Sequence, residues 1–150
     1  MDCTIGFWLA DCDAVTAAEA FDHAEAQVHQ AEQVLSRFRP TSELSRLNAT
    51  AGRPMAVSPL LWAVLAAGLD AASRTHGLFD PTVLAAMQAA GYDRPFAELV
   101  DGRTGASYRL ELQREGWRSV RLDPQGHTVL LPAGVGIDLG GIAKGWLADY

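Results

Sequence analysis

The apolar pattern of this chain changes period at about Gly116, and that switch limits the fold more than any other feature of its 150 residues. Before it, Phe21, Ala24, Val28, Ala31, Leu35 and Phe38 recur at alternating three- and four-residue steps. That spacing predicts one face of a long helix running to about Arg37, opened by the capping box Thr16-x-x-Glu19 and stopped by Pro40. Thr41 or Ser42 caps a short second helix over SELSRLNA. Ser58-Pro59 opens a third, with Leu61, Val64, Leu65, Leu69 and Ala72 facing the core and His76-Gly77 closing it. Asp80-Pro81 repeats the cap-and-proline signature and starts a fourth, ending near Gly91. After the switch, the runs 118–122 and 127–131 flank Asp123-Pro124-Gln125-Gly126 and predict a β-hairpin. Thr4 to Ala10 and Gly136 to Leu139 are expected as further short strands, and Gly102 and Gly105 as turns. The expected class is α+β: a helical block of about four helices, a small antiparallel sheet, and a Gly-rich strand-to-helix turn. The last helix begins just before Tyr150, so the chain is expected to stop inside it.

Composition excludes several classes. Hydrophobic residues make up 49% and charged residues 20%, which is globular rather than disordered. A net charge of −6 argues against a broad nucleic-acid footprint. No run approaches the ~20 apolar residues of a membrane span, and no basic-then-apolar leader opens the chain. The expected compartment is cytoplasmic, or periplasmic or membrane-anchored if a leader has been removed. Cys3 and Cys12 read as reduced thiols, with a disulfide as the other reading. The four histidines are scattered and form no metal-ligand spacing.

Three segments carry chemistry. In GIDLGGIAKGWLAD, Gly136 to Asp149, paired glycines let backbone approach a ligand, the helix N-terminus offers free N–H groups to an anion, and Lys144 adds a charge. Neither a Walker A loop nor a Rossmann fingerprint fits, because Gly145 follows Lys144 and Gly134-x-Gly136 lacks a third glycine. The segment is an anion cradle or a tight structural turn. In LSRFRPTSELSRLN, Leu35 to Asn48, Phe38 and Pro40 offer flat apolar support and Arg39 a phosphate contact, or the stretch is a solvated helix end. In GLFDPTV, Gly77 to Val83, Asp80 reads as a helix cap with a second capacity to accept hydrogen bonds from a ligand.

These segments, with VSPLLWAVL, GYDR and a Met1-Asp2-Cys3-Thr4 opening similar to a degenerate Met-Gly-Thr, resemble in order and spacing the FAD:protein FMN transferases, a family once named for thiamine biosynthesis. The match covers nearly the whole chain and corresponds to the N-terminal half of such an enzyme, a portion of a single domain. The resemblance implies FAD as substrate, cleavage of its pyrophosphate, transfer of FMN to a Ser or Thr hydroxyl of a target protein, release of AMP, and magnesium as cofactor. It implies FAD contacts from Met1, Phe38, Arg39, Pro40, Asp80 and Lys144, and a magnesium contact through the backbone oxygen of Gly141. The carboxylate and hydroxyl ligands of the metal, and the catalytic residues, are expected in the half that this chain does not contain, so these residues alone are expected to bind metal poorly.

The implied partner is an acceptor flavoprotein carrying an Asp-x-x-Ser/Thr-Gly-Ala-Ser/Thr sequence. Asp101 to Ser107 of this chain (DGRTGAS) is itself similar to that pattern, so Ser107 is either a flavinylation site or part of a glycine-rich loop that matches by chance. Two further readings stay open: a module that binds FAD without transferring it, and a chain that is itself the acceptor.

Overall fold

The computed structural model describes residues 5–94 and 116–149. Helix α1 spans Ala14–Leu35, α2 Glu43–Ala49, α3 Pro59–Arg74, α4 Leu84–Ala89 and α5 Ala143–Asp149. Strands β1 (Pro54–Ala56), β2 (Arg121–Asp123) and β3 (Thr128–Leu130) form a sheet in the order β1-β3-β2, antiparallel throughout. The α+β expectation is borne out: several helices, a small antiparallel sheet, and a glycine pair leading into a helix.

Local signals fixed several elements. Ser58 Oγ accepts the Leu61 amide and Pro59 occupies the first turn of α3. His76 (φ 53°) and Gly77 (φ 81°) reverse the chain after α3, with the Gly77 amide returning to Ala72 O at 2.8 Å. Ser42, rather than Thr41, caps α2. The hairpin forms about the expected turn, with strands shorter than the apolar runs, because Arg118 and Ser119 are taken into a 3₁₀ turn over Gly116–Ser119.

Other expectations are corrected. The described part of the Thr4–Ala10 strand, residues 5–10, pairs with no described strand, and Trp8 there is 89% exposed. An apolar run becomes a strand only where a partner edge receives its backbone. The N-cap of α1 is Asp13, not Thr16: its Oδ1 accepts the Val15 and Thr16 amides, and the Thr16 hydroxyl donates to Oδ2 at 2.7 Å. Helix α1 ends at Leu35, capped by Ser36, short of Arg37. Its stripe is buried only at Ala31 and Leu35; Phe21 stays 36% exposed.

Asp80 does not cap α4. Its Oδ1 accepts the Thr82 amide at 2.8 Å and the Thr82 hydroxyl, closing an Asx turn, and α4 starts only after Val83, which makes no side-chain cap. Gly136 to Leu139 is not a sheet strand either. Gly136 makes a single parallel bridge to Val83, and the sheet's third strand is the unanticipated β1.

One core unites these elements: Ala31 and Leu35 of α1, Leu44 and Leu47 of α2, Leu61, Val64 and Leu65 of α3, Val129 and Leu131 at β3, and Ile137, Leu139 and Ala143 around the glycine turn. Ile137 and Leu139 point into this core, so Asp138 between them faces the other way, towards the end of α1.

Candidate functional site

The glycine turn at 138–143 is tied down from several directions. Asp138 donates its amide to Pro81 O at 2.8 Å, and its Oδ1 accepts the Gly140 amide at 2.7 Å. Its Oδ2 receives Arg37 Nε at 2.8 Å, with the two side chains only 5% and 11% exposed. Asn48 clamps the preceding residue with both arms: Nδ2 donates to Ile137 O at 2.9 Å and Oδ1 accepts the Ile137 amide at 2.8 Å. A Cβ at Gly141 would stand 3.0 Å from Phe79 Cε2, and one at Gly136 would stand 2.9 Å from Leu84 Cδ2. A side chain at either position would force these neighbouring side chains to shift.

Arg37 is held by its aromatic neighbours as well. Its Cζ lies 4.1 Å from the Phe38 ring centroid and 4.5 Å from that of Tyr92, and the two rings meet edge to face at 5.8 Å. The segments 35–48, 77–83, 91–94 and 136–149, far apart in sequence, thus meet around one turn.

Beyond the turn, Ile142 and Ala143 return their amides to Leu139 O at 3.0 and 2.8 Å, the first bonds of α5. The amides of Gly141, Lys144 and Gly145 donate to no described residue. Gly141 and Lys144 are both exposed. Backbone N–H groups without a described acceptor, in a segment that carries an exposed lysine, have the chemistry an anion such as a phosphate requires.

The expected site residues fall into two groups. Phe38, Asp80, Gly141 and Lys144 lie on, or next to, the segments gathered at the turn. Phe38 is half-buried against Tyr92 and Arg37, and Asp80 sits between Phe79 and Pro81, which both touch the turn. Arg39 faces elsewhere. Its Nη2 pairs with Glu32 at 2.9 Å, and it lines a cleft of about 570 Å³ with Gln33, Val34, Thr41, Glu43, Arg46 and Ser58. Pro40 is exposed. Met1 and Ser107 lie outside the described residues. Sequence reasoning noted Arg37 in a local arginine cluster with Arg39 and Arg46 but gave it no site role, and gave none to Asp138, Phe79 or Asn48. The available signal was a charge set among apolar neighbours: Arg37 beside Leu35 and Phe38, Asp138 between Ile137 and Leu139.

The donor set does not make a magnesium site. The Gly141 carbonyl accepts no described hydrogen bond and is free to act as one neutral ligand. The carboxylate nearest in sequence, Asp138, has both oxygens engaged, and among the described residues no three His, Cys, Asp or Glu side chains gather as metal ligands. Magnesium is held chiefly through carboxylates and phosphates, and these residues offer it neither. Among the described residues no helix is long and apolar enough to cross a membrane.

Comparison with known proteins sets this geometry in a family. Residues 1–150 match the sequence profile of the ApbE family. A curated FAD:protein FMN transferase of Treponema pallidum (strain Nichols) is 36% identical over 134 residues, which is 87% of this chain and 37% of that protein. The crystal structure of the ApbE protein of Thermotoga maritima superposes with a TM-score of 0.75 at 25% identity, covering 95% of this chain and 45% of the other. The flavinyl transferase ApbE of Pseudomonas stutzeri gives 0.69 at 22% identity, covering 94% and 46%, and speaks to the fold. The chain spans less than half the length of these relatives.

Proposed function

The chain belongs to the ApbE family, and on that premise we propose that its residues form the N-terminal portion of a FAD:protein FMN transferase domain, the portion that holds the flavin dinucleotide. The name of the Treponema pallidum relative supplies FAD and a protein acceptor. The observation that supports the reading is the clamped glycine turn, after which the amides of Gly141, Lys144 and Gly145 have no described acceptor, in a segment that also carries the exposed Lys144. Those groups would bind the diphosphate, while Phe38 would support the flat ring system and Asp80 would accept a hydrogen bond from the ligand. Met1, Arg39 and Pro40 complete the proposed contacts, with Arg39 needing to leave Glu32 to take part.

In the proposed reaction the acceptor's Ser or Thr oxygen bonds to the FMN phosphorus. The bond between that phosphorus and the bridging oxygen breaks, AMP leaves with the bridging oxygen and the bonding pair, and the hydroxyl proton is released. The part played by these residues is to bind and orient the pyrophosphate, which accounts for much of catalysis in phosphoryl transfer. Magnesium dependence is proposed for the whole protein only. Gly141 would lend one backbone oxygen, and no step is assigned to the metal here. The lack of a carboxylate cluster among the described residues favours, as a second reading, FAD binding without transfer by this portion alone.

Titration of the full chain with FAD tests the proposal. Lys144→Ala should weaken binding by about 1.5–3 kcal/mol, the worth of a charge-assisted contact. Unchanged affinity would remove Lys144 from the site, and absence of FAD uptake by the unaltered chain would end the reading. AMP release in the presence of an acceptor peptide separates transfer from binding.

A further inference from the structure

Buried ion pairs are poor stabilisers, because desolvation of two charges offsets most of their attraction. The Arg37–Asp138 pair is less favourable still. Arg37 Nη2 is enclosed and donates to no described residue, so part of the guanidinium's hydrogen-bonding capacity is not met by the described part of the fold. Two apolar side chains would fill the same space without that cost. What the pair does and an apolar pair could not do is control a carboxylate. With Oδ2 on Arg37 Nε, Asp138 has its Oδ1 left to hold the Gly140 amide. The Phe38 and Tyr92 rings limit where the guanidinium can move, so the carboxylate has one orientation and the turn one conformation.

We propose that Arg37 is a positioning residue for the glycine turn: acting through Asp138, it fixes the Gly140 amide and thereby presets the amides after it for a diphosphate. The role rests on the flavin-dinucleotide reading above for the identity of the ligand, and on the described geometry alone for the turn. Arg37 acts through a charge and one N–H. A lysine, with one charge and three N–H donors, can supply both; methionine fills the space and supplies neither.

The test uses the full chain, its R37M, R37K and D138N variants, and the R37M/D138N double variant. Amide exchange at Gly140 and FAD affinity are measured on each. In R37M, Gly140 should exchange about tenfold faster or more, and FAD should bind about tenfold more weakly. R37K should return both to within about threefold of the unaltered chain. In the double variant R37M should add little to D138N, because both remove the same link. A merely structural arginine would give additive losses and no rescue by lysine, and that pattern overturns the proposal. Unchanged Gly140 exchange in R37M also overturns it. If R37M does not fold, R37Q, which keeps a donor and removes the charge, is read by the same criteria. A chain that takes up no FAD yet shows the Gly140 pattern supports the positioning role and retires only the identity of the ligand.

Discussion

The two ends of α1 have little in common. At the C-terminal end, Ala31 and Leu35 are fully or almost fully buried, and the chain just beyond them carries Arg37 to Asp138 and Phe38 to Tyr92. At the N-terminal end, Val15 is 68% exposed and Phe21 36%, and the preceding residues 5–10 join no described strand. Both ends are helical, so helix formation alone does not build a site. The C-terminal end is where α2, α3 and the glycine turn pack on the helix, and where polar groups of distant segments satisfy one another. The N-terminal end is held by its own cap and by helix propensity.

The largest expected effect comes from the packed end. Leu61 is fully buried in the core beneath the turn, and Leu61→Ala should cost about 2–5 kcal/mol in denaturant unfolding. Phe21→Ala, on the same reasoning, should cost less than about 0.5 kcal/mol although it removes a larger side chain. If the two losses were similar, the contrast between the ends of α1 would be false.

Next in size is the clamp on the turn. Asn48→Ala leaves both the N–H and the C=O of Ile137 without their partner inside the fold, which should cost about 1–3 kcal/mol. The same substitution should weaken FAD binding, because the turn would lose one of its ties. Loss of stability with full retention of affinity would show that Asn48 serves the core and not the site.

How far the sequence revealed all this depends on the range of each interaction. Ser58-Pro59 and His76-Gly77 were legible because cap and helix lie within a few residues of each other. Asp80-Pro81 has the same local signature and forms an Asx turn instead, in a segment where Val83 is drawn into a bridge with Gly136 and Pro81 O into a bond with Asp138. Strand β1 is Pro-Met-Ala, and only pairing with β3 makes it a strand. The candidate site divides in the same way. The glycine pair and Lys144 could be read from composition and spacing. The Arg37–Asp138 pair could not, because only the folded core brings the end of α1 against the turn.

The smallest expected effect lies at the exposed end of α1, and it depends on pH. The Thr16 amide above all, then the Thr16 hydroxyl and the Val15 amide, hold the Asp13 carboxyl below its ordinary value of 3.8. A depressed folded-state value means that the cap's contribution is fully present above the unfolded value and is lost as pH falls through the folded one. The first turn of α1 should therefore loosen only below about pH 4, read as faster amide exchange at Val15 and Thr16. Asp13→Asn keeps the acceptor without the titration, so the turn should stay capped and become insensitive over that range. The core amides of α3 should not respond to either change, because the described residues at this end of α1 are largely exposed and outside the core. If those core amides loosened together with Val15 and Thr16, the two ends of the helix would be one cooperative unit.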